Sequence, residues 1–317
     1  MLDETVFSGS RLCIVGNVCR DVRTAPIDPA PHLFEDGETP TEFIVETVGG
    51  GGANSALAAA ALGAEVRFAG KTGDDPLGTR LQQALGQRGV RSFLRRDPQT
   101  PTGSSVALGF TSGCRHFLCC QPNNDSLRFD DIDLSMLADG QHLLRADVWF
   151  SDSMLAEGNA RLFQAARDAG LATSLDVNWD PRWGSADESL VHARKEAVRR
   201  VLPLVDLVHG NVRELNRFAD STDLPTTLGR LTAWGVGAVV VHLGSEGAGY
   251  YCRGNWVVEP CTAVSRLVNT TGTGDLLSVC IILMHRRPEI AVREKLRLAN
   301  RIVAEYIEGR RDFGGRC

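Results

Sequence analysis

The stretch Val268–Leu283 reads VNTTGTGDLLSVCIIL and sets threonines, two glycines and one aspartate directly ahead of an apolar helical run. Gly272 and Gly274 let the backbone turn tightly and bring its N–H groups close to an anion, and the helix that begins there adds the positive end of its dipole. Asp275 is the unexpected residue, because a carboxylate repels phosphate unless it has a task such as accepting a proton from an attacking hydroxyl. The set therefore points to phosphoryl transfer. The plainer alternative is a glycine turn before an ordinary helix, with Asp placed at its N-terminus on electrostatic grounds.

A second constellation lies near the N-terminus. A short apolar run ends in Gly16-Asn17, Asp21 follows, and further on comes Val48-GGGGAN-Ser55. An Asp at the carboxyl end of a strand can accept hydrogen bonds from neighbouring sugar hydroxyls. Gly49 to Gly52 let a polyol approach bare backbone, and Asn54 offers a donor and an acceptor. The same glycines would equally serve close helix packing. They are not a dinucleotide fingerprint, since Gly-x-Gly-x-x-Gly would need glycine where Ser55 stands; this disfavours an NAD-dependent oxidoreductase.

These residues need a scaffold, and the pattern supplies one. Apolar strand candidates at Arg11–Gly16, Val66–Gly70, Val148–Ser151, Ala172–Asp176, Leu207–His209 and Ala238–Leu243 alternate with helical stretches at Asn54–Leu62, Leu77–Arg88, Gly158–Ala169, Glu188–Leu202, Asn211–Phe218 and Thr226–Trp234. That alternation predicts an α/β fold with a mainly parallel sheet covered on both faces, its ligands at the carboxyl edge. Two segments, 25–48 and 103–122, carry β-type patterns without helices. They predict a small antiparallel sheet, either a lid or static edge hairpins. No Pro-, Gly- or Ser-rich linker divides residues 1–317, which read as a single domain.

Composition narrows the function. A net charge of -5 without a basic, aromatic-laced stripe argues against nucleic-acid binding. The longest apolar run, Val279–Met284, is too short for a membrane span, and the acidic start does not read as a secretory signal. Nine irregularly spaced cysteines, with no Cys-x-x-Cys pair, read as reduced thiols of a cytoplasmic protein without a zinc site. Adjacent Cys119-Cys120 are read as strand residues rather than a redox pair.

Taken together, the motifs resemble those of the ribokinase-like, or PfkB, carbohydrate kinases over nearly the whole chain. NTTGTGD is similar to the C-terminal signature of that family, and VGGGGAN with FAGKTGDDPLG to its N-terminal one. LDVNWDPRW resembles the Asp-x-Asn-x-x-x-Arg segment of fructokinase-like members, Gly210-NVRE-Leu215 the Asn-x-x-Glu motif, and His242-LGSEGAG-Tyr250 the strand and glycine turn beside the nucleotide.

The resemblance implies a three-layer ribokinase-like sandwich with a small β-sheet lid, and a kinase moving the γ-phosphoryl group of ATP to a hydroxyl of a small sugar or sugar-like molecule. Asp275 would be the base, and the N–H groups of Gly272, Thr273 and Gly274 would hold the developing charge. Asn17, Asp21, Gly50, Gly51, Asn54 and Arg182 would hold the acceptor. Asn211, Glu214, Gly244, Gly247, Thr271 and Asn300 would hold the nucleotide, with Glu214 reaching Mg²⁺ through water and K⁺ as a further candidate ion. Asn211 and Glu214 could also be only a helix cap. A homodimer through the lid strands is the expected assembly. Two departures stand out: Asn269 replaces the usual Asp near the metal and monovalent-cation region, and Gly51 replaces the Lys of ribokinases proper. The alternatives are a nucleoside kinase of the same fold, stacking its base on Phe43, Phe110 or Phe117, and a sugar- or nucleotide-binding regulatory protein that has lost turnover.

Overall fold

The computed structural model describes residues 2–30, 33, 35–112, 114–269 and 271–313. Two sheets organise the chain. The strands are β1 (Arg11–Val15), β2 (Cys19–Thr24), β3 (Ile44–Gly49), β4 (Glu65–Gly73), β5 (Val90–Asp97), β6 (Ser104–Gly109), β7 (Arg115–Cys120), β8 (His142–Arg145), β9 (Ala172–Asp176), β10 (Leu207–Asn211), β11 (Ala238–His242), β12 (Ala248–Cys252) and β13 (Asn255–Glu259). The large sheet has the order β13-β12-β11-β10-β9-β8-β1-β4-β5, and the small one β3-β2-β6-β7. All pairings in the large sheet are parallel except those of β12 with β11 and β13. The runs LCIV and AVVV are buried on both faces, as helices on either side require.

The helices are α1 (Gly51–Ala61), α2 (Pro76–Gln87), α3 (Pro122–Asp125), α4 (Asn159–Asp168), α5 (Glu188–Arg199), α6 (Val212–Phe218), α7 (Leu224–Ala233), α8 (Thr273–Leu283) and α9 (Val292–Ile307). One core packs α1, α8 and α9 against the sheet, and a second packs α4 to α7 against its other face. Helix α8 is apolar all round because it is enclosed: Leu276 to Leu283 are all buried, between α1, α9 and the sheet. The bulky Leu276-Leu277 pair is thus core packing, and it fixes the start of the helix against the body of the molecule.

Two differences from the sequence expectation bear on the site. No strand forms at Val148–Ser151; β8 lies earlier, at His142–Arg145. Asp147 and Ser151 have φ of 55° and 68°, which ends the extended chain, while Val148 and Trp149 are buried from a loop. The small sheet is mixed rather than antiparallel, since β2 pairs parallel with β6, and it extends beyond the two expected segments. Its second strand, β2, precedes residue 25, and between residues 25 and 43 the described residues hold only an isolated bridge, Ile27 to Phe110. Among the described residues, no helix is long and apolar enough to cross a membrane.

Candidate active site

Helix α8 opens at Gly272, whose φ of 79° lies in the left-handed region that glycine adopts freely. No side chain caps this end. By contrast α2, α5, α6 and α7 are capped by Asp75, Asp187, Asn211 and Asp223. An uncapped first turn points N–H groups outward without intrahelical acceptors, which is what an anion needs. Gly274 is required for a different reason. A Cβ there would stand 3.1 Å from Nδ1 of His242, which ends β11 and lies 3.1 Å through Nε2 from the Ser278 hydroxyl. Burial pushes the His242 pKa down to about 4, so a neutral imidazole lies under the turn. Thr271 is tied on both sides: its carbonyl accepts from the Tyr306 hydroxyl at 2.8 Å, and its Oγ1 accepts from Nη1 of Arg115, on β7 of the small sheet, at 2.6 Å.

Asp275 lies at the mouth of this turn. Its pKa is pushed up to about 7, first by burial and then by the like charges of Asp147, Glu214 and Asp21. A side-chain hydrogen bond with Asn54 works in the opposite direction and orients the carboxylate. The residue keeps partial access to solvent, as a base that meets an incoming hydroxyl must. Asp176, at the carboxyl end of β9, is buried nearby, and burial with the charges of Asp275 and Glu214 raises its pKa well above the usual range.

The N-terminal glycine cluster is built around two carboxylates. Asp147 accepts from the backbone N–H of Asn17 at 3.0 Å, Gly51 at 3.3 Å and Gly52 at 2.8 Å, and so caps α1 from a distant loop. A Cβ on Gly51 would come within 2.7 Å of Asp147, one on Gly49 within 2.1 Å of Asp21, and one on Gly50, at φ 93°, within 2.4 Å of the Asn17 carbonyl. Asn17 is buried and donates through Nδ2 to Gln121 at 3.2 Å. Asp21 is buried, accepts hydrogen bonds from Cys19 and Ser105, and has a pKa raised by burial. Asp21, Arg23, Asn54, Thr271, Gly272 and Tyr306 line one narrow cavity, which joins the two signatures of the chain across the gap between the sheets.

Residues 10–282 match the pfkB family of carbohydrate kinases. The chain is a PfkB-family carbohydrate kinase. Its enzyme class is therefore a phosphotransferase with an alcohol acceptor. A fructokinase of Vibrio alginolyticus is 28% identical over 251 residues, 78% of each chain. The fold matches Arabidopsis thaliana ribokinase complexed with ribose and ATP, with TM-score 0.73, 22% identity, and coverage of 96% of this chain and 94% of that one. It also matches an Escherichia coli protein described as a ribokinase II, in complex with ATP and Mg²⁺, with TM-score 0.77, 20% identity and coverage of 94% and 93%.

Other residues singled out in this kinase's sequence take varied positions. Asn211 and Glu214 form a reciprocal capping box on α6, each side chain 2.9 Å from the other's backbone N–H, and burial raises the Glu214 pKa. The charge of Glu214 raises the Asp275 pKa, and that of Asp275 raises the Asp176 pKa. Gly244 and Gly247 make a turn at φ 61° and 108°. Open space surrounds Gly244, whereas a Cβ on Gly247 would meet the Glu259 carbonyl at 2.2 Å. Asn300 is buried on α9 and spends Nδ2 on the carbonyls of Glu259 and Pro260, both at 2.9 Å. Arg182 stands apart: its exposed side chain borders a second cavity of about 390 Å³, with Cys119, Gln121, Asp125 and Asp180. Asn269 donates from Nδ2 to the Tyr306 carbonyl at 3.1 Å. Sequence reasoning missed Asp147, and it read Asp176 as part of the LDVNWDPRW segment without giving it a role.

Proposed function

We propose that this sugar kinase uses ATP as donor and transfers its γ-phosphoryl group to a hydroxyl of a small sugar or sugar-like acceptor, with Asp275 as the base. The observation that carries this reading is Asp275 itself, a carboxylate with a pKa of about 7 at the opening of an uncapped helix. Such a group holds and releases a proton near neutral pH, where an ordinary Asp is too weak a base. Asn54 aims it. Asp21 and Asn54 hold acceptor hydroxyls from the two sides of the cavity. The N–H groups from Gly272 to Gly274 receive the charge that develops on the phosphoryl oxygens.

ATP and Mg²⁺ enter this reading from the structural neighbours that contain them. Among the described residues no group of three or more metal-ligating side chains is assembled, so the ion would be held mainly by water and phosphate oxygens, with the half-buried Glu214 and the buried Asp176 as the nearby carboxylates. When bound, Mg²⁺ would neutralise charge on the polyphosphate; Glu214 is the residue to reach it through water. At Asn269 a neutral amide already donates to the Tyr306 carbonyl, so an amide N–H stands where the family's Asp would favour a monovalent cation. We therefore read the enzyme as independent of K⁺.

The small sheet acts as a lid. The cavity under it measures about 50 Å³, room for a few waters only, so the acceptor enters with the sheet displaced and water is excluded when it returns. The outer strands β3 and β7 expose Ile44 (64%) and Leu118 (58%), which favours a homodimer through lid edges. The working compartment is the cytoplasm. The test is ADP formation from Mg-ATP against a panel of sugars and nucleosides. One acceptor class raises turnover well above ATP hydrolysis if the reading holds. Tight ATP binding with no productive acceptor would instead make the protein a nucleotide- or sugar-binding regulator.

A further inference from the structure

The cavity bordered by Arg182 has no part in the roles assigned so far. It measures about 390 Å³, within the range of small-ligand pockets, whereas the cavity of Asp21 and Gly272 measures about 50 Å³. One wall comes from the end of the small sheet, through Cys119 and Gln121, and the rest from the 149–152 and 180–182 loops, Asp125 and Arg194. Two links tie it to the residues proposed to hold the acceptor. Gln121 accepts through Oε1 from Nδ2 of Asn17 at 3.2 Å. Cys119 pairs across the small sheet with Ser105, and Ser105 with Asp21, so Cys119 and Asp21 stand on one face of it.

The charges of this cavity do not balance. Arg194 is committed: its Nε lies 2.8 Å from Oδ2 of the buried Asp180, its Nη2 3.2 Å from Oδ1, and its Nη1 2.8 Å from Asp152. Asp125 and Arg182 remain. Among the described residues neither forms an ion pair, and they act on each other only at a distance. Three carboxylates, Asp125, Asp152 and Asp180, thus stand against two guanidiniums. The neighbouring start of α1 brings no cation, because Asp147 fills the space that a side chain at Gly51 would take. Burial raises the Asp125 pKa, and Arg182 offsets this only in part. A bound ammonium group would complete the charge pattern. A carboxylate in its place would find Arg182 alone, in a cavity that otherwise repels it.

We propose that this cavity reads the far end of the acceptor, that the acceptor carries a protonated amine there, and that Asp125 selects it. The assignment deepens the sugar-kinase reading above and rests on it. Asp125 is a specificity residue: it takes no proton in the transfer, and it holds one end of the acceptor while a hydroxyl at the other end meets Asp275.

Matched acceptors test the assignment: 1-amino-1-deoxyfructose against fructose, glucosamine against glucose, and glucuronate as the anionic counterpart. In the wild type, the amine of at least one pair has a kcat/KM about tenfold or more above its neutral parent, chiefly through KM, and added salt shrinks the advantage. Asp125→Asn, checked first by its thermal midpoint, brings the ratio of amine to parent to within about twofold of one, and Asp125→Lys shifts the preference to glucuronate. Arg182→Met keeps the amine advantage. Equal use of amine and parent by the wild type, or a folded Asp125→Asn that keeps the advantage, would overturn the proposal. So would a preference for glucuronate that Arg182→Met abolishes, which would give the cavity to an anionic acceptor. Calorimetry with the same amines needs no turnover and separates the two readings. An amine bound by the wild type and lost in Asp125→Asn, with no ADP formed from Mg-ATP, would sink the kinase reading while supporting the cavity assignment. Turnover of neutral sugars with no amine bound at millimolar concentration would overturn the assignment and leave the kinase reading standing.

Discussion

The two glycine turns of this kinase look alike in sequence and are opposites in structure. Around Gly49–Gly52 the space that side chains would fill is already occupied, by Asp21, the Asn17 carbonyl, Asp147 and the Gly16 backbone, and the N–H groups of Gly51 and Gly52 are taken by Asp147. Around Gly272 the nearest atoms to a hypothetical Cβ are 3.9 Å away, and no side chain caps the helix. The first turn is a buckle that sets Asp21, Asn17 and Asn54 in place. The second has no side-chain cap and room around Gly272, and it is the turn for which we propose the anion role. A glycine cluster is thus a candidate anion site only where no side chain already fills or caps it.

Substitutions at the two turns should separate stability from catalysis. Gly272→Ala has room for its methyl but must hold a left-handed backbone, at about 1–2 kcal/mol, and it places a methyl group in the turn proposed to bind the phosphoryl group. We expect a fall in kcat of about 10²-fold with a modest loss of stability, read from steady-state kinetics and urea unfolding. Gly52→Ala should do the reverse. Its Cβ would lie 2.6 Å from the Gly16 Cα, a backbone contact that cannot yield cheaply, so unfolding measurements should show about 2–3 kcal/mol of destabilisation while the folded fraction keeps its kcat. If Gly52→Ala instead abolished turnover without loss of stability, the buckle would be part of the catalytic surface.

Asp147 connects the turns, since it binds the first and raises the pKa of Asp275 beside the second. Asp147→Asn keeps the shape but removes a charge and sets an NH₂ against backbone donors, at about 1–3 kcal/mol. With one like charge gone, the acid limb of kcat/KM should move to lower pH, because Asp275 then loses its proton more readily. An unmoved limb would mean that Asp275 does not govern it. The smallest effect belongs to Asn269→Asp. Replacing K⁺ by a bulky organic cation should leave wild-type kcat within about twofold, and the variant should gain sensitivity to that exchange; RT puts twofold at about 0.4 kcal/mol. Strong K⁺ dependence of the wild type would contradict the reading of the Asn269 amide.

The sheet and most helices were legible because continuous apolar strands alternate with amphipathic helices, and β9 and β10 begin where their patterns begin. Strand β2 was not, since Cys19 to Thr24 carry polar and charged residues on the face that lines the cavity, which erases the apolar alternation. The residues proposed as base and anion turn stood out in the sequence because they are local, Gly272, Thr273, Gly274 and Asp275 in one turn. Asp147 could not be, because its meaning lies in N–H groups that only folding brings to it, and its φ of 55° hid the end of β8. Arg23 and Arg115 carried no signal for the same reason: they come from different strands of the small sheet, and only folding brings both near Tyr306. Asn300 looked like a nucleotide residue by position, while its donors are committed to the Glu259 and Pro260 carbonyls.

The central claim is that Asp275 is held as a poorly solvated, like-charge-crowded carboxylate so that it can act as a base near neutral pH. Asp275→Asn tests it through two linked readings. With the best acceptor of the panel, kcat should fall about 10²- to 10⁴-fold with little change in acceptor affinity, and wild-type kcat/KM should rise with pH through about 7. A carboxyl group whose folded pKa is raised stabilises the fold only while protonated, and that contribution is lost as pH rises from about 4 through 7. The variant should therefore melt above the wild type at pH 8, with the difference closing toward pH 4. An Asp275→Asn enzyme that keeps wild-type kcat, or that melts below the wild type at pH 8 as if a favourable carboxylate had been removed, would contradict the account.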